Sequence, residues 1–312
     1  MSTAKRLVHQ LTGAARRERP RAGQTREERL YWWGVRFALA VFALGALFPI
    51  YFMFVVALTP HSYVWTDIGL VPPLVSLEGF EFALARVDWV QAYAYSLLIA
   101  GGSTLLVLLV SIPAAYAFGR LSFPGRRVLF VAVLCIFLFP QQSVALPLYE
   151  LFVSEIELFG WTLKIYDTPV AIVLPLSTFM LPLAIALLTL FFSGIPTDLE
   201  DAARLEGATR IEALWHVVLP LAKPGIASVA TLVFIEAYTD HFFTLFMTRG
   251  AGGAASTVQA NIYYIYNPPW ALAYPNALAA AGLIGLIPVV FVVAYLVHNL
   301  DSWLAAWNDV TA

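Results

Sequence analysis

Two acidic side chains lie inside a long apolar segment of this 312-residue chain. Glu236 and Asp240 are four residues apart in TLVFIEAYTDHFF, a spacing that puts both carboxylates on one face of a helix. A carboxylate at the centre of a bilayer costs about 2.5–3.5 kcal/mol, so two on one face should line a water-filled path or meet partner groups. The pair could contact a polar solute or couple an ion. Interhelical hydrogen bonding without solute contact is the structural alternative.

Other side chains could assist such a solute path. Tyr238 lies between the two acids, Gln141 and Gln142 follow Pro140, and Tyr149 comes about two helical turns after them. Aromatic rings suit the CH faces of sugars, and amides and carboxylates suit their hydroxyl groups. The residues after Pro140 are equally typical of a kinked helix end.

Composition defines the class of protein to which these residues belong. Hydrophobic residues make up 60% of the chain, charged residues only 12%, and the mean hydropathy is +0.77, which indicates an integral membrane protein. The net charge of −2 gives no reason to expect nucleic-acid binding. The single cysteine excludes an internal disulfide and a multi-cysteine metal site. We expect neither a metal nor a cofactor.

Six segments are long and apolar enough to cross a bilayer, which needs about 20 residues. The sequence therefore predicts an all-α polytopic membrane protein with six transmembrane helices. The predicted spans are 37–58, a span within 89–119, 128–148, a span within 168–193, 225–247 and 277–299.

The distribution of cationic residues predicts the orientation. Fifteen of the 18 Lys and Arg residues fall in the N-terminal tail and in the loops after the second and fourth spans. The positive-inside rule then puts both termini in the cytoplasm. Residues 1–34 form a basic cytoplasmic tail on this interpretation, 35–59 the first transmembrane helix and 301–312 a C-terminal tail.

The loop at 194–223 is charged, and its pattern predicts two short helices. Thr197 stands three residues before Glu200, the spacing of a capping box, and predicts a helix over 198–206. Gly207 is suited to end it in a left-handed conformation. Thr209 and Glu212 form a second capping box, whose helix should run to Leu219.

The first of these helices has one face suited to a protein partner. Leu199, Ala202, Ala203 and Glu206 fall on one side at helical spacing, and the two alanines remove bulk there. A small apolar face with a charged rim suits docking in a groove of another protein. An amphipathic helix resting on lipid headgroups is the alternative.

This segment resembles the coupling loop of ABC-transporter permeases, with DAARLEGA at 201–208 and Leu219-Pro220 near its end. The segments AFGRLSFPGRR at 117–127 and DTPVAIVLPLSTFMLPLAI at 167–185 are also similar to that group. The similarity covers roughly 90–300 and is closest to the six-span carbohydrate-uptake permeases of the maltose-permease type. Asp201 stands where the family signature has Glu, Glu206 where it usually has Asp, and the C-terminus lacks the group's short basic tail.

The resemblance implies a type I ABC importer permease fold with its core at 90–300. It also implies partners: two copies of a cytoplasmic ATPase subunit, a second permease subunit and an extracytoplasmic solute-binding protein. The residues that it implies for ATPase coupling are Glu200, Asp201, Ala202, Ala203, Glu206, Gly207 and Ala208. Helix 198–206 would then enter a cleft of the ATPase and transmit its closure to the spans.

The energy source is the remaining question. The chain has no G-x-x-x-x-G-K-[ST] phosphate loop, so we expect no ATPase activity of its own and ATP hydrolysis in a partner. An ion-coupled secondary transporter that uses Glu236 and Asp240 is the alternative, although such transporters usually carry an internal repeat.

Overall fold

The computed structural model describes residues 26–66, 68–154, 156–158, 161–249, 253, 255–266, 274–295 and 298–299. Most of the predicted basic tail and the predicted C-terminal tail lie outside the described residues.

The first half of the described chain contains six helices and a small hairpin. The helices are α1 (Arg26–Ala57), α2 (His61–Val64), α3 (Glu78–Arg86), α4 (Trp89–Arg120), α5 (Arg126–Ile136) and α6 (Gln141–Val153). Strands β1 (Ile156–Leu158) and β2 (Trp161–Leu163) then pair antiparallel, with Glu157 opposite Thr162. The sequence predicted an all-α fold, so this two-stranded hairpin was not predicted.

The second half contains α7 (Pro169–Gly194), α8 (Thr197–Leu205) and α9 (Arg210–Ala213). A π-helical turn at Leu214–Val218 joins α9 to α10 (Leu219–Leu221). The last helices are α11 (Lys223–Thr239), α12 (Phe242–Met247), α13 (Val258–Tyr266) and α14 (Pro275–Gly285), and the apolar span that begins with α14 extends over Pro275–Tyr295.

Four of the six predicted spans are single helices. The candidate spans Leu30–Ala57, Trp89–Arg120, Pro169–Gly194 and Pro275–Tyr295 agree with the first, second, fourth and sixth predictions. The third and fifth differ. Helices α5 and α6 meet at 82°, and the Arg210–Leu221 segment meets α11 at 77°, so each pair is one bent span or a re-entrant segment.

The prediction of one continuous helix over 128–148 is therefore wrong. It is interrupted over residues 137–140, and Pro140 is the N-cap of α6 with φ −67° and ψ 131°. Proline disfavours the α conformation in the residue before it and has no N–H to continue the helix, which explains the break.

The predicted helix 225–247 also ends early. Helix α11 stops at Thr239, and Asp240 has an extended backbone with φ −61° and ψ 124°. Glu236 and Asp240 are consequently not on one face of a continuous helix, as their spacing suggested.

The core lies where α4 packs on α7 and α11. Ile99 and Val107 of α4, Leu176 and Leu188 of α7 and Val229 of α11 are at most 1% exposed. Many apolar side chains of α1 instead point outward, and Phe37 and Phe42 are 73% and 76% exposed. Lipid or a second subunit has to cover such a surface in a membrane.

Candidate functional site

The loop between α7 and α11 folds into a compact helical unit, and its first helix begins one residue earlier than predicted. Pro196 is the N-cap of α8 and Thr197 is its first residue, so Thr197 does not occupy the predicted cap position. Asp198 and Glu200 lie in the first turn, where negative side chains favour the helix dipole.

The end of α8 is as predicted. Gly207 has φ +101°, in the left-handed region that glycine enters at little cost. Its N–H donates to the Arg204 carbonyl oxygen at 3.1 Å, and the Ala208 N–H donates to that of Ala203 at 3.1 Å. These two bonds are the Schellman pattern that satisfies the last carbonyl groups of a helix, and they turn the chain sharply towards α9.

The predicted second capping box is present. The Glu212 N–H donates to Thr209 Oγ1 at 3.3 Å, and the Thr209 N–H donates to Glu212 Oε2 at 2.7 Å. The backbone bond from Thr209, with a smaller contribution from its side chain, holds the pKa of Glu212 below its usual value. The box fixes the direction in which α9 leaves the turn.

The second helix of the loop is less regular than the sequence suggested. The sequence predicted one helix from Thr209 to Leu219, whereas the structure has a π-helical turn over Leu214–Val218 and continues through Pro220 to Leu221. Proline removes a backbone donor and crowds the carbonyl four residues earlier, and a wider turn relieves both constraints.

Two adjoining open grooves, of about 520 and 610 Å³, lie between α8 and the helical segment that follows it. Five of the seven predicted coupling residues line them: Ala202, Ala203, Glu206, Gly207 and Ala208. His216 and Val217 line both grooves from the opposite side. The structure thus brings most of the predicted coupling residues together on one concave surface.

Large apolar side chains of the same loop are exposed, although they do not line the two grooves. Leu205 is 90% exposed, Ile211 70% and Trp215 63%. They stand beside polar residues at the end of the bundle, where apolar side chains exposed in a group typically mark a contact with another protein or with a membrane. These three residues were not predicted from the sequence, although an apolar residue two positions before Gly207 was a usable signal.

The remaining two predicted coupling residues have different surroundings. Asp201 is largely exposed and forms an ion pair with Arg204 at 3.5 Å within α8. Glu200 instead points into the bundle, where it accepts a hydrogen bond from the Tyr116 hydroxyl and lies 3.7 Å from Arg120 Nε. Only 13% of its side chain is exposed. Glu200 therefore does not lie on the concave surface.

A second candidate site is a cavity of about 180 Å³ between α7, α11 and the break after α5. Among the described residues that line it, Glu236 is the only charged one. The other lining residues are apolar: Phe137, Met180, Leu183, Ala184, Leu187, Val229, Leu232 and Val233. An exposed carboxylate among apolar walls within a bilayer needs water or a partner, so this cavity is the strongest candidate for a solute path.

The other predicted path residues do not converge on this cavity. Asp240 Oδ2 accepts the Thr244 N–H at 3.2 Å and thereby caps the first turn of α12. Tyr238 is buried, and its hydroxyl donates to the Gly285 carbonyl oxygen at 2.8 Å. This bond connects α11 to the helix that begins with α14.

Residues of α6 occupy two further locations. Gln141 and Gln142 form the first turn of α6, directly after the break that contributes Phe137 to the cavity. Tyr149 packs edge-to-face on Tyr166, with their ring centroids 5.4 Å apart. Burial raises the pKa of Tyr166, which lies in the loop before α7. Within the described residues, no group of three or more His, Cys, Asp and Glu side chains is arranged to hold a metal ion.

These features define the class of protein. A bundle of long apolar helices with a carboxylate in an apolar cavity and a charged helical unit between two of the helices is typical of a membrane transport subunit. The family described as the binding-protein-dependent transport system inner membrane component matches residues 107–306, and the chain belongs to this family.

Relatives and solved structures agree with this assignment. The chain is 34% identical to the trehalose transport system permease protein SugB of Mycobacterium tuberculosis, over 89% of this chain and 97% of that one. It is 32% identical to the trehalose/maltose transport system permease protein MalG of Thermococcus litoralis, over 85% and 91%. A bacterial ABC transporter that imports alginate contains a chain with the same fold, with a TM-score of 0.68, 21% identity and coverage of 88% and 98%.

The predicted fold class is therefore confirmed: the chain has the fold of an ABC importer permease. Its relatives are permease subunits of transport systems, which agrees with a transport role rather than an enzymatic one. None of these comparisons favours the ion-coupled alternative.

Proposed function

We propose that this chain is the permease subunit of an importer for a sugar or oligosaccharide, driven by ATP hydrolysis in a partner subunit. The observation that carries the ATP-driven part is the concave surface beside α8. Its small residues Ala202 and Ala203 leave room for another protein, and Leu205, Ile211 and Trp215 of the same loop are exposed. Burying these three side chains against a protein would remove apolar area from water, which supplies affinity.

The proposed orientation puts α8 and both termini in the cytoplasm. Its support is the charge distribution of the sequence, since 15 of 18 Lys and Arg residues would then lie on the inner side. In that orientation the concave surface faces the compartment that contains ATP.

The proposed assembly contains two ATPase subunits, this chain, a second permease and an extracytoplasmic binding protein. A second permease would cover the apolar surfaces that this chain leaves exposed, such as that of α1. Family membership supports the binding protein, because the family description names a binding-protein-dependent system. Prokaryotic relatives support a prokaryotic plasma membrane as the location.

The proposed mechanism starts at α8. Closure of the ATPase subunits on ATP would carry α8 with them, and the short Schellman turn and capping box would pass that motion to α9 and α11. The bends between α10 and α11 and between α5 and α6 offer two points at which the spans can reorient. Glu200, Asp201, Ala202, Ala203, Glu206, Gly207 and Ala208 all serve this coupling, Glu200 from inside the chain.

The proposed solute path runs past Glu236. Its carboxylate is exposed in the single chain and faces an apolar cavity, so it would meet either a hydrated path or the second permease. Gln141 and Gln142, close to the same break, are the amides best positioned to join it. Asp240, Tyr238 and Tyr149 make the intramolecular contacts described above, and those contacts support a structural role.

A sugar is the proposed substrate class. The named relatives transport trehalose or trehalose and maltose, and several of the curated relatives are named for glucosides or other carbohydrates. Carboxylate and amide groups can bind sugar hydroxyls, which is consistent with Glu236 and the two glutamines.

The first experiment is co-purification. The tagged chain is extracted from its host in a mild detergent, and its partners are identified by mass spectrometry. We expect an ATPase subunit and a second permease, and we expect trehalose or maltose to stimulate ATP hydrolysis when the binding protein is added. A complex that contains an ATPase but responds to no sugar would contradict only the substrate class. A chain that transports with an ion gradient and no ATPase would contradict the proposal as a whole.

A further inference from the structure

Three side chains connect α8 to the bundle, and we name them the coupling latch: Tyr116, Arg120 and Glu200. Tyr116 and Arg120 are four residues apart on α4 and therefore share one face of that helix. The Tyr116 hydroxyl donates to Glu200 Oε1, and Arg120 Nε lies 3.7 Å from Glu200 Oε2. The two oxygens of one carboxylate thus contact two successive turns of α4.

Arg120 also connects the latch to α7. Its Nη2 atom donates to the Ile195 carbonyl oxygen at 2.6 Å, in the two-residue link between α7 and α8. The Arg120 side chain is 5% exposed, and that of Glu200 13%. A buried ion pair that loses one partner leaves an uncompensated charge, so these contacts resist separation.

The two ends of α8 are attached differently. Its N-terminal end is held to α4 and α7 by the latch and by a link of two residues. Its C-terminal end is followed by the Gly207 turn, the Thr209 capping box and the π-helical turn, on which α8 also packs, before the chain reaches α11. Motion of α8 would therefore reach α4 directly, through side chains, and α11 through a longer and less regular path.

We propose that the coupling latch makes α4 and α8 move as one rigid body. Glu200 is then a positioning residue: it acts through its contacts with Tyr116 and Arg120 inside this chain and does not touch the ATPase. This inference rests on the proposed function, because it assumes that an ATPase displaces α8. It assigns Tyr116 and Arg120 to energy coupling, although both lie in the sequence far from the coupling loop.

The test uses the complete complex with its binding protein in liposomes, and the readout is substrate imported per ATP hydrolysed. We expect Glu200→Ala and Arg120→Ala to lower this ratio by about fivefold or more, in the range of typical coupling between sites. Arg127→Ala is the matched control, since Arg127 is an exposed cation at the same end of the bundle. The charge exchange Arg120→Glu with Glu200→Arg should restore part of the ratio.

A merely structural role would reduce the amount of assembled complex and leave the ratio unchanged. An unchanged ratio in both alanine variants would therefore overturn the latch. Failure of the unmodified chain to assemble with any ATPase would overturn the proposed function and the latch with it, so the two failures are distinguishable.

A second measurement covers the case in which the variants do not assemble. The substitutions Ser122→Cys, just after α4, and Asp198→Cys, in α8, provide two sites for spin labels, and Cys135→Ser removes the native thiol. The measured quantity is the distance between the two labels. We expect that distance to be the same in the ATP-free and ATP-bound complex. A distance that changes between the two states by about one helical turn, ~5 Å, would show that α4 and α8 separate, and would overturn the proposal.

Discussion

Glu236 on α11 and Phe137, at the break between α5 and α6, line the same cavity. Both spans involved are bent, by 82° between α5 and α6 and by 77° at the start of α11. The Glu236 carboxylate thus lies beside an interrupted helix, where freed backbone groups can contact water or solute. This relationship motivates the first prediction.

Replacement of Glu236 should change substrate handling. We expect Glu236→Ala to weaken the apparent substrate affinity in uptake by about tenfold or more, because a hydrogen bond to a charged group contributes about 1.5–3 kcal/mol. Glu236→Gln should retain more affinity than alanine because it keeps an acceptor. Uptake kinetics measured in liposomes check this, and identical kinetics in both variants would assign Glu236 to contacts between subunits.

Asp240 should behave differently, although it is only four residues away. Asp240→Ala removes the acceptor of the Thr244 N–H in the first turn of α12, so we expect it to lower the free energy of unfolding by about 0.5–1.5 kcal/mol. The apparent substrate affinity of the folded protein should stay unchanged. Thermal unfolding in detergent and uptake kinetics measure the two effects, and Asp240→Asn is the control that keeps a capping oxygen. A weakened affinity with unaltered stability would contradict the assignment.

Ala203 tests the concave surface directly. Ala203→Asp adds charge and bulk where the two grooves meet, so we expect the ATPase to be lost or uncoupled while the chain still inserts into the membrane. Ala203→Ser, which adds one small polar atom, is the matched control. Co-purification and transport assays measure the result. Normal transport by the aspartate variant would exclude this surface as the ATPase contact.

Substitutions of two leucines distinguish an effect on ATPase docking from an effect on folding stability. Leu205 is 90% exposed and Leu188 is fully buried. Leu205→Ala should leave the stability of the isolated chain within about 0.5 kcal/mol, yet weaken ATPase binding by about tenfold. Leu188→Ala should cost about 2–5 kcal/mol of stability. Unfolding curves and binding titrations provide both numbers, and equal ATPase binding with and without the Leu205 side chain would count against docking there.

The capping box at α9 predicts a pH dependence. The pKa of Glu212 is lowered in the folded chain, mainly by the Thr209 backbone hydrogen bond. Because the folded pKa lies below the unfolded pKa, ionised Glu212 contributes its stability in full above the unfolded pKa. That contribution disappears as the pH falls through the folded pKa.

The comparison with Glu212→Gln isolates this effect, because glutamine keeps the shape of the box without the charge. The unmodified chain should unfold at a higher temperature than the variant near neutral pH, and the difference should vanish in acid. A difference that is independent of pH would mean that the charge of Glu212 contributes nothing.

Local sequence patterns predicted much of the helical unit around α8. The Gly207 turn and the Thr209–Glu212 box were predicted correctly, since each depends on residues within one or two turns of each other. The Thr197 box was wrong, because Pro196 occupies the N-cap and moves Thr197 into the helix. Rules based on neighbouring residues could not decide whether Pro196 or Thr197 is the N-cap of α8.

The interruptions of the third and fifth predicted spans were harder to predict. Hydropathy averages over a segment, and the segments around Pro140 and Asp240 are apolar on average despite the polar residues in each, so each was predicted as one span. Asp240 also fits the helical spacing from Glu236. Only the contact of its carboxylate with Thr244 of the next helix reveals that the chain turns there.

By itself, the sequence determined the membrane class, the number of apolar segments and the location of the charged helical loop, because these follow from composition, from hydropathy and from motifs of adjacent residues. The tertiary structure decided which coupling residues face outward. Glu200 and Asp201 are neighbours of the same charge, yet Glu200 contacts Tyr116, 84 positions earlier, and Asp201 remains exposed. Their different roles depend on how α8 rests on α4, and packing between such distant segments leaves no periodic pattern in the sequence.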